Sequence, residues 1–302
     1  MVDLPSPPPS SKAPPHSAQV STFQSLASLI RLPNQVGTLL LLLPSLWSLV
    51  LATHGLPPLT LFLVFLFGAF LMRSVGVVIN DWADRSFDVL VERTKQRPLA
   101  SGVLKPHHAI FFGCILLVLA IGLLMFLNPF TISLAPIALL LAMIYPFTKR
   151  FFSVPQFFLG LAFGWGAIMA WSATRNQLDL SAWLLFGATI LWAIAYDTIY
   201  ATQDQKDDLK IGIKSSALFF GNRLWLGVGS SLVGMLILLG MAGYRENLNF
   251  LFYGILIGVA GFFIRQVALL RKGHDPAQAF GMFREHVYAG LAILTGIWLG
   301  TW

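Results

Sequence analysis

With one cysteine, Cys114, among 302 residues, the chain has no internal disulfide available, which excludes a small secreted disulfide scaffold. Charge is scarce as well. Only 11% of residues are Asp, Glu, Lys or Arg, where soluble domains carry about 25%. Acid is scarcest of all, with 13 residues against 20 basic ones. Apolar residues fill the gap: the hydrophobic share is 56% and the mean hydropathy is +0.74. That excludes an ordinary soluble enzyme and a disordered chain, and leaves a polytopic membrane protein. Cys114 itself lies within an apolar run and reads as a core residue.

Apolar runs of spanning length recur at about 36–53, 59–79, 108–127, 130–147, 155–173, 180–200, 224–243, 248–270 and 285–301. A helix needs roughly 20 such residues to cross the hydrocarbon core, so the pattern predicts an all-α bundle of about nine transmembrane helices. The runs are unbroken rather than alternating, unlike the strands of a membrane barrel. With nine spans and a cytoplasmic amino terminus, 16 of the 20 basic residues fall on one side. The other side keeps only Arg175 and Arg245, while Arg73 and Arg265 lie within spans. This positive-inside asymmetry accounts for most of the net charge of +7, so no nucleic-acid partner is needed to explain it. Residues 1–20 hold six of the 17 prolines, which predicts a disordered cytoplasmic tail over 1–22 before a single transmembrane domain over 23–302. No apolar stretch suited to a cleavable signal opens the chain, and the tail has no arginine, so a bacterial inner membrane is expected over an organelle. Gly160 and Gly164, four apart in a span, predict close helix packing.

Eight of the 13 acidic residues sit in two short segments on the basic side. The first holds Asn80, Asp81, Asp84 and Asp88, with Glu92 beyond; the second holds Asp197, Asp204, Asp207 and Asp208. At about 100° per residue, Asn80, Asp81, Asp84 and Asp88 share roughly 100° of a helix face, and Asp197, Asp204 and Asp208 roughly 40°. Two clusters of hard oxygen ligands suit Mg²⁺, which takes one or two carboxylates, waters and substrate phosphate oxygens. The plain alternative for either cluster is a solvated loop laced with salt bridges. Arg85, Arg93, Lys95 and Arg97 follow the first cluster, Lys210 and Lys214 the second, and Lys149 and Arg150 end the fourth span. Such cations can neutralise diphosphate oxygens, or simply anchor the helices. Arg73 lies two turns deeper than Asn80 on the same face, where a charged group faces a cavity or partner by default.

At these segments the chain resembles the UbiA family of intramembrane prenyltransferases. Asn80, Asp81, Asp84 and Asp88 match the family signature NDxxDxxxD, and Arg93 to Gly102 resembles its RTxxRPLxSG stretch. Tyr196-Asp197, Tyr200-Ala201, Asp204 and Asp208, with Lys210 to Ser216 and Tyr145 to Arg150, resemble the 4-hydroxybenzoate polyprenyltransferase branch. One departure is the segment Leu32-Pro33-Asn34-Gln35-Val36 between Arg31 and Gly37, where that branch usually carries an acidic residue. The resemblance implies helices around a central cavity open to lipid, and Mg²⁺-dependent transfer from polyprenyl diphosphate to 4-hydroxybenzoate, a membrane step of ubiquinone biosynthesis. It implies that Asp81, Asp84, Asp88, Asp204 and Asp208 bind metal–diphosphate, with Asn80 orienting it and Arg85, Arg93, Arg97, Lys149, Lys210 and Lys214 on the substrate. Asp197 would meet the acceptor phenol or take its proton, Arg73 or Arg150 the acceptor carboxylate, and Tyr145 and Tyr200 would flank the acceptor or the cation. Other branches, making menaquinone or haem O, and an ion-coupled transporter are the competing readings.

Overall fold

The computed structural model describes residues 21–273 and 275–302. The tail expected over 1–22 lies outside the described residues except for Ser21 and Thr22. Ser21 already caps the first helix, accepting from Gln24 N while the Gln24 side chain returns to Ser21 N. The described chain is helical throughout, in the order α1 (Thr22–Leu29), α2 (Val36–Thr53), α3 (Leu59–Asp88), α4 (Pro106–Leu123), α5 (Pro129–Thr148), α6 (Gln156–Arg175), α7 (Leu180–Ala201), α8 (Gln205–Ile211), α9 (Ser216–Phe220), α10 (Leu224–Arg245), α11 (Phe250–Lys272) and α12 (Pro276–Gly300).

Each expected apolar run lies within one of nine long helices, apart from short overhangs at some helix ends. Among the described residues, eight of these are long and apolar enough to cross a membrane by length and composition. The ninth, α12, is diluted by Arg284, Glu285 and His286, so its composition falls short although its length does not. Local chemistry sets the boundaries. Proline opens α4, α5 and α12, where a missing N–H costs nothing. Asn128, Asp179, Asn249 and Asp275 cap α5, α7, α11 and α12 through their side chains. His54 ends α2 with φ +50°, a left-handed stop.

The core runs through α2, α6, α7, α10 and α12. Glycine lets α6 and α7 approach: a Cβ on Gly160 would lie 2.7 Å from Ile190 Cα, and one on Gly164 2.8 Å from the Phe186 ring. The predicted packing role of this pair therefore holds. Trp47, Trp171 and Trp192 are fully buried; Trp47 Nε1 donates to Gly290 O and Trp192 Nε1 to His286 Nδ1, each at 2.9 Å. At the end of the bundle away from the acidic segments, Glu246 receives Arg175 at 3.1 Å, Ser181 at 2.5 Å and His54 at 3.2 Å, tying four helices together.

The opposite flank is looser. α4 packs along α3, α5 along α6 and α3, and α4 and α5 hardly touch each other. Most of α4 faces outward, and Cys114 with it: the expectation of a core cysteine is corrected, because an apolar side chain in a membrane helix can face lipid as readily as protein. α3 has 30 residues, about 45 Å at 1.5 Å per residue, against about 30 Å of hydrocarbon. Its first acidic segment is thus helical to Asp88, as its spacing required. The second segment differs. α7 stops at Ala201, Thr202 and Gln203 form a turn, and Asp204 begins α8. Asp197 and Asp204 therefore do not share one helix, and the 40° arc expected for Asp197, Asp204 and Asp208 does not exist. Asp204 and Asp208 remain one turn apart, with Asp208 N donating to Asp204 O at 2.8 Å.

Candidate active site

A cavity of about 1150 Å³ lies within the bundle between α2, α3, α4, α5, α6 and α7. Along most of its length it is apolar, with Leu117, Ala120, Ile121 and Leu124 on one side of the thin α4–α5 wall and Ala135, Ala138, Leu139 and Ala142 on the other. Its polar lining gathers at the basic end: Arg31, Arg73, Asn80, Asp81, Arg93, Arg97, Tyr145, Tyr196, Asp197 and Tyr200. Arg73, Asn80, Asp81, Arg93, Arg97, Tyr145, Asp197 and Tyr200, scattered over 128 residues of sequence, are among those predicted and are brought to one chamber.

Most carboxylates of the two segments are held by a cation, Asp197 and Asp208 being the exceptions among the described residues. Arg31 grips Asp81 with Nη2 at 2.9 and 2.8 Å. Arg97 Nη1 bridges Asp81 at 3.2 Å and Asp88 at 2.9 Å. Lys149 pairs with Asp84. Arg93 forks onto Asp204, with Nε 2.8 Å from Oδ1 and Nη2 on Oδ2, while its Nη1 donates to the Tyr200 hydroxyl at 2.7 Å. Burial works against the Arg93 charge, but the hydrogen bonds and field of Asp204 outweigh it and hold the guanidinium firmly protonated. Asp208, half-buried beside Asp204, moves the other way. Burial and the Asp204 charge raise its carboxyl to about 6, against the opposing pull of Lys149, Ser215 and Arg93.

Arg73 is the exception. It makes no hydrogen bond and no ion pair among the described residues, although it lines the cavity two turns deeper than Asn80. Space for it comes from α2: a Cβ on Gly37 would lie 2.7 and 2.8 Å from Arg73 Nε and Nη2. Tyr196 Oη is buried and likewise unpartnered. The Gln156 side chain lies beside Asp197 and accepts from Ser216 N at 3.2 Å.

The other nine predicted residues do not line this cavity: Asp88 and Asp204 adjoin it through Arg97 and Arg93, Asp84 and Lys149 pair with each other, Asp208 borders a separate shallow pocket, and the remaining four bond elsewhere. Arg85 is exposed, donates to Trp82 O at 2.8 Å and lies over the Trp82 ring. Lys210 is exposed and paired with Asp207 at 3.4 Å. Lys214 donates to Phe151 O at 2.9 Å, bracing the loop after α5. Arg150 donates to Ala83 O at 2.9 Å, with its guanidinium against the Phe87 and Phe147 rings. Sequence reasoning missed Arg31, Gln156, Tyr196, Phe280 and Phe283 as lining or supporting residues. Arg31 reaches Asp81 from a turn where its own φ is +59°, a geometry with no glycine to announce it.

Among the described residues no three His, Cys, Asp or Glu side chains converge as a metal site. Yet Asp84 Oδ1 is buried without a hydrogen-bond partner among the described residues, and like Asp81 and Asp88 on the same helix it offers carboxylate oxygen. Both suit a hard cation that draws its remaining ligands from a phosphate-bearing substrate.

Comparison with known proteins gives a consistent picture. A family profile described as the UbiA prenyltransferase family matches residues 41–287. A 4-hydroxybenzoate octaprenyltransferase of Hydrogenovibrio crunogenus is 45% identical over 279 residues, 92% of this chain and 98% of that protein. One of Tolumonas auensis is 46% identical over 277 residues, covering 92% and 96%. Among solved structures, a UbiA homologue from Aeropyrum pernix superposes with a TM-score of 0.76 at 21% identity, covering 87% of this chain and 98% of that one. Another, from Archaeoglobus fulgidus and bound to DMAPP and Mg²⁺, gives 0.66 at 17% identity, covering 90% and 99%. At these identities the structures speak for the fold.

Proposed function

We propose one reading, from the premise that this chain belongs to the UbiA prenyltransferase family: it is an integral membrane enzyme that transfers a polyprenyl group from polyprenyl diphosphate to the ring carbon ortho to the hydroxyl of 4-hydroxybenzoate. The carrying observation is the cavity, apolar along most of its length and charged only at its basic end. A polyprenyl chain suits the first part and its diphosphate the second. The relatives at 45% and 46% identity carry the name of this activity. A transporter fits less well, since the carboxylates are held at one end rather than at the midplane.

Asp81, Asp84, Asp88, Asp204 and Asp208 would hold Mg²⁺ together with the diphosphate, and Asn80 would orient it. Bound Mg²⁺ neutralises charge on the departing diphosphate. Arg93, Arg97, Lys149 and Arg31 do the same from fixed positions, exchanging carboxylate for phosphate oxygens as substrate arrives. The allylic C–O bond breaks with its electron pair on diphosphate, and the ortho carbon supplies the pair for the new C–C bond. Asp197 accepts the ring proton, or orients the phenol, restoring aromaticity. Arg73, unpartnered among the described residues, receives the acceptor carboxylate, and Tyr145 borders the same space. Exclusion of water keeps the cation from hydrolysis. The basic end is then the cytoplasmic end of a bacterial inner-membrane protein, by the positive-inside asymmetry, and 23–302 forms one catalytic domain behind the 1–22 tail.

Membranes bearing the protein, given labelled polyprenyl diphosphate with 4-hydroxybenzoate, dihydroxynaphthoate or haem, should label the first. Labelling of either other acceptor alone overturns the assignment. Asp84→Ala should abolish transfer in a folded protein, and Mg²⁺-dependent activity surviving in that variant would remove Asp84 from the metal site.

A further inference from the structure

Two residues that line the cavity take no part in the chemistry above. Phe280 and Phe283 are the only α12 side chains on the wall among the described residues. They meet α7 where its polar groups lie. The Phe283 ring is 4.7 Å from the Tyr200 ring and 5.9 Å from the Tyr196 ring, and Phe280 stacks on Phe283 at 6.3 Å with 23° between planes. Phe280 also faces Tyr200 at 6.3 Å. Asp197 lies between Tyr196 and Tyr200 in sequence and lines the same chamber. Tyr200 is in turn fixed by Arg93, whose guanidinium is 4.9 Å from its ring.

This aromatic patch stands in the second turn of α12, beside the basic end of the cavity. The helix start is fixed by Pro276 and by the reciprocal Asp275–Gln278 cap, which holds the two rings in place. Arg284 lies over the Phe280 ring, with its guanidinium 5.9 Å away. Both rings border the chamber that contains Asp197, with the Arg284 cation against Phe280 alone.

We propose that Phe280 and Phe283 form a water-excluding wall at the reacting end of the cavity, so that the allylic cation is captured by the acceptor ring rather than by water. The inference rests on the prenyl-transfer reading. In the side reaction the same C–O bond breaks with its electron pair on diphosphate, a water oxygen forms the new bond to the allylic carbon, and a proton is released, giving the free polyprenol. The wall acts on the partition between the two fates. Diphosphate release stays with the acidic and basic groups already described.

The test is the product ratio in the full-length protein with labelled polyprenyl diphosphate, Mg²⁺ and 4-hydroxybenzoate. Phe283→Ala opens the wall and should raise the polyprenol share severalfold, because water then reaches the shielded cation, while diphosphate release continues. Phe283→Leu keeps an apolar plug and should restore most of the wild-type ratio. Phe280→Ala gives a second reading if Phe283→Ala does not fold, as judged by its thermal transition. An unchanged ratio in a folded alanine variant overturns the wall, and so does a leucine variant that leaks as much as the alanine one. Failure of the wild-type protein to prenylate 4-hydroxybenzoate overturns the activity itself and is read separately, before any variant is compared.

Discussion

Gly37 and Arg73 form the most specific single contact in the chamber. No L-side chain fits between α2 and the guanidinium without displacing it, because its Cβ would sit 2.7 Å from Arg73 Nε. Gly37→Ala should therefore act as a substitution of Arg73 without touching any charge. It should raise KM for 4-hydroxybenzoate by about tenfold, the loss of one charge-assisted hydrogen bond, and leave KM for the diphosphate near wild type. Steady-state kinetics with each substrate varied in turn checks this. Asp208 gives a pH signature. Its carboxyl titrates at about 6 in the folded protein against about 3.9 when unfolded, so the folded state binds more protons between those values. Its contribution to stability is present at low pH and is lost as pH rises through about 6. Without Mg²⁺, the wild-type thermal transition should fall across that window relative to Asp208→Asn. Mg²⁺ should narrow the gap above pH 6, where the ionised carboxylate can ligate it.

At the scale of elements, the nine long helices were legible because membrane spans are written as long unbroken runs, and lipid leaves few other structures for the backbone. The first acidic segment was legible for the same reason: a helix that continues past the hydrocarbon keeps its angular spacing, so Asn80 to Asp88 stay on one face. The second was not. Thr202 and Gln203 carry no glycine or proline, yet α7 ends there and α8 begins anew. The break is imposed by the surrounding packing, which includes α9, with Thr198 bonded to Ser216 at 2.6 Å. Phe280 and Phe283 were invisible for a different reason, since an aromatic at the start of a span has many roles and only tertiary contact selects one. Gly160 and Gly164 were readable from their spacing alone. Gly164→Leu would force α6 off the Phe186 ring and the backbone of α7. It should lower stability by about 1–3 kcal/mol or more, seen as a lower thermal transition in detergent with loss of activity.

Across the whole molecule, rigidity is unevenly shared. The side that carries Arg73, Asp197 and the α12 aromatics rests on fully buried tryptophans and on the Glu246 tie at the far end. The side formed by α4 and α5 is mostly outward-facing and joined only weakly along its seam. On that side only α4 and α5 stand between the chamber and the bilayer, and one substrate is itself a solute of that bilayer. Concentration per litre is then the wrong variable for the polyprenyl diphosphate; mole fraction in the lipid is the right one. At fixed amounts of enzyme and substrate, diluting both with inert phospholipid should slow the reaction in proportion. The same dilution with buffer should leave the rate per enzyme unchanged, as long as the soluble acceptor stays saturating. Reconstituted vesicles at varied lipid-to-substrate ratios give the comparison, and a rate that instead followed bulk volume would mean that the tail enters from water. On these terms the reaction is two-dimensional for one substrate and three-dimensional for the other, and the basic end of the chamber is where the two meet.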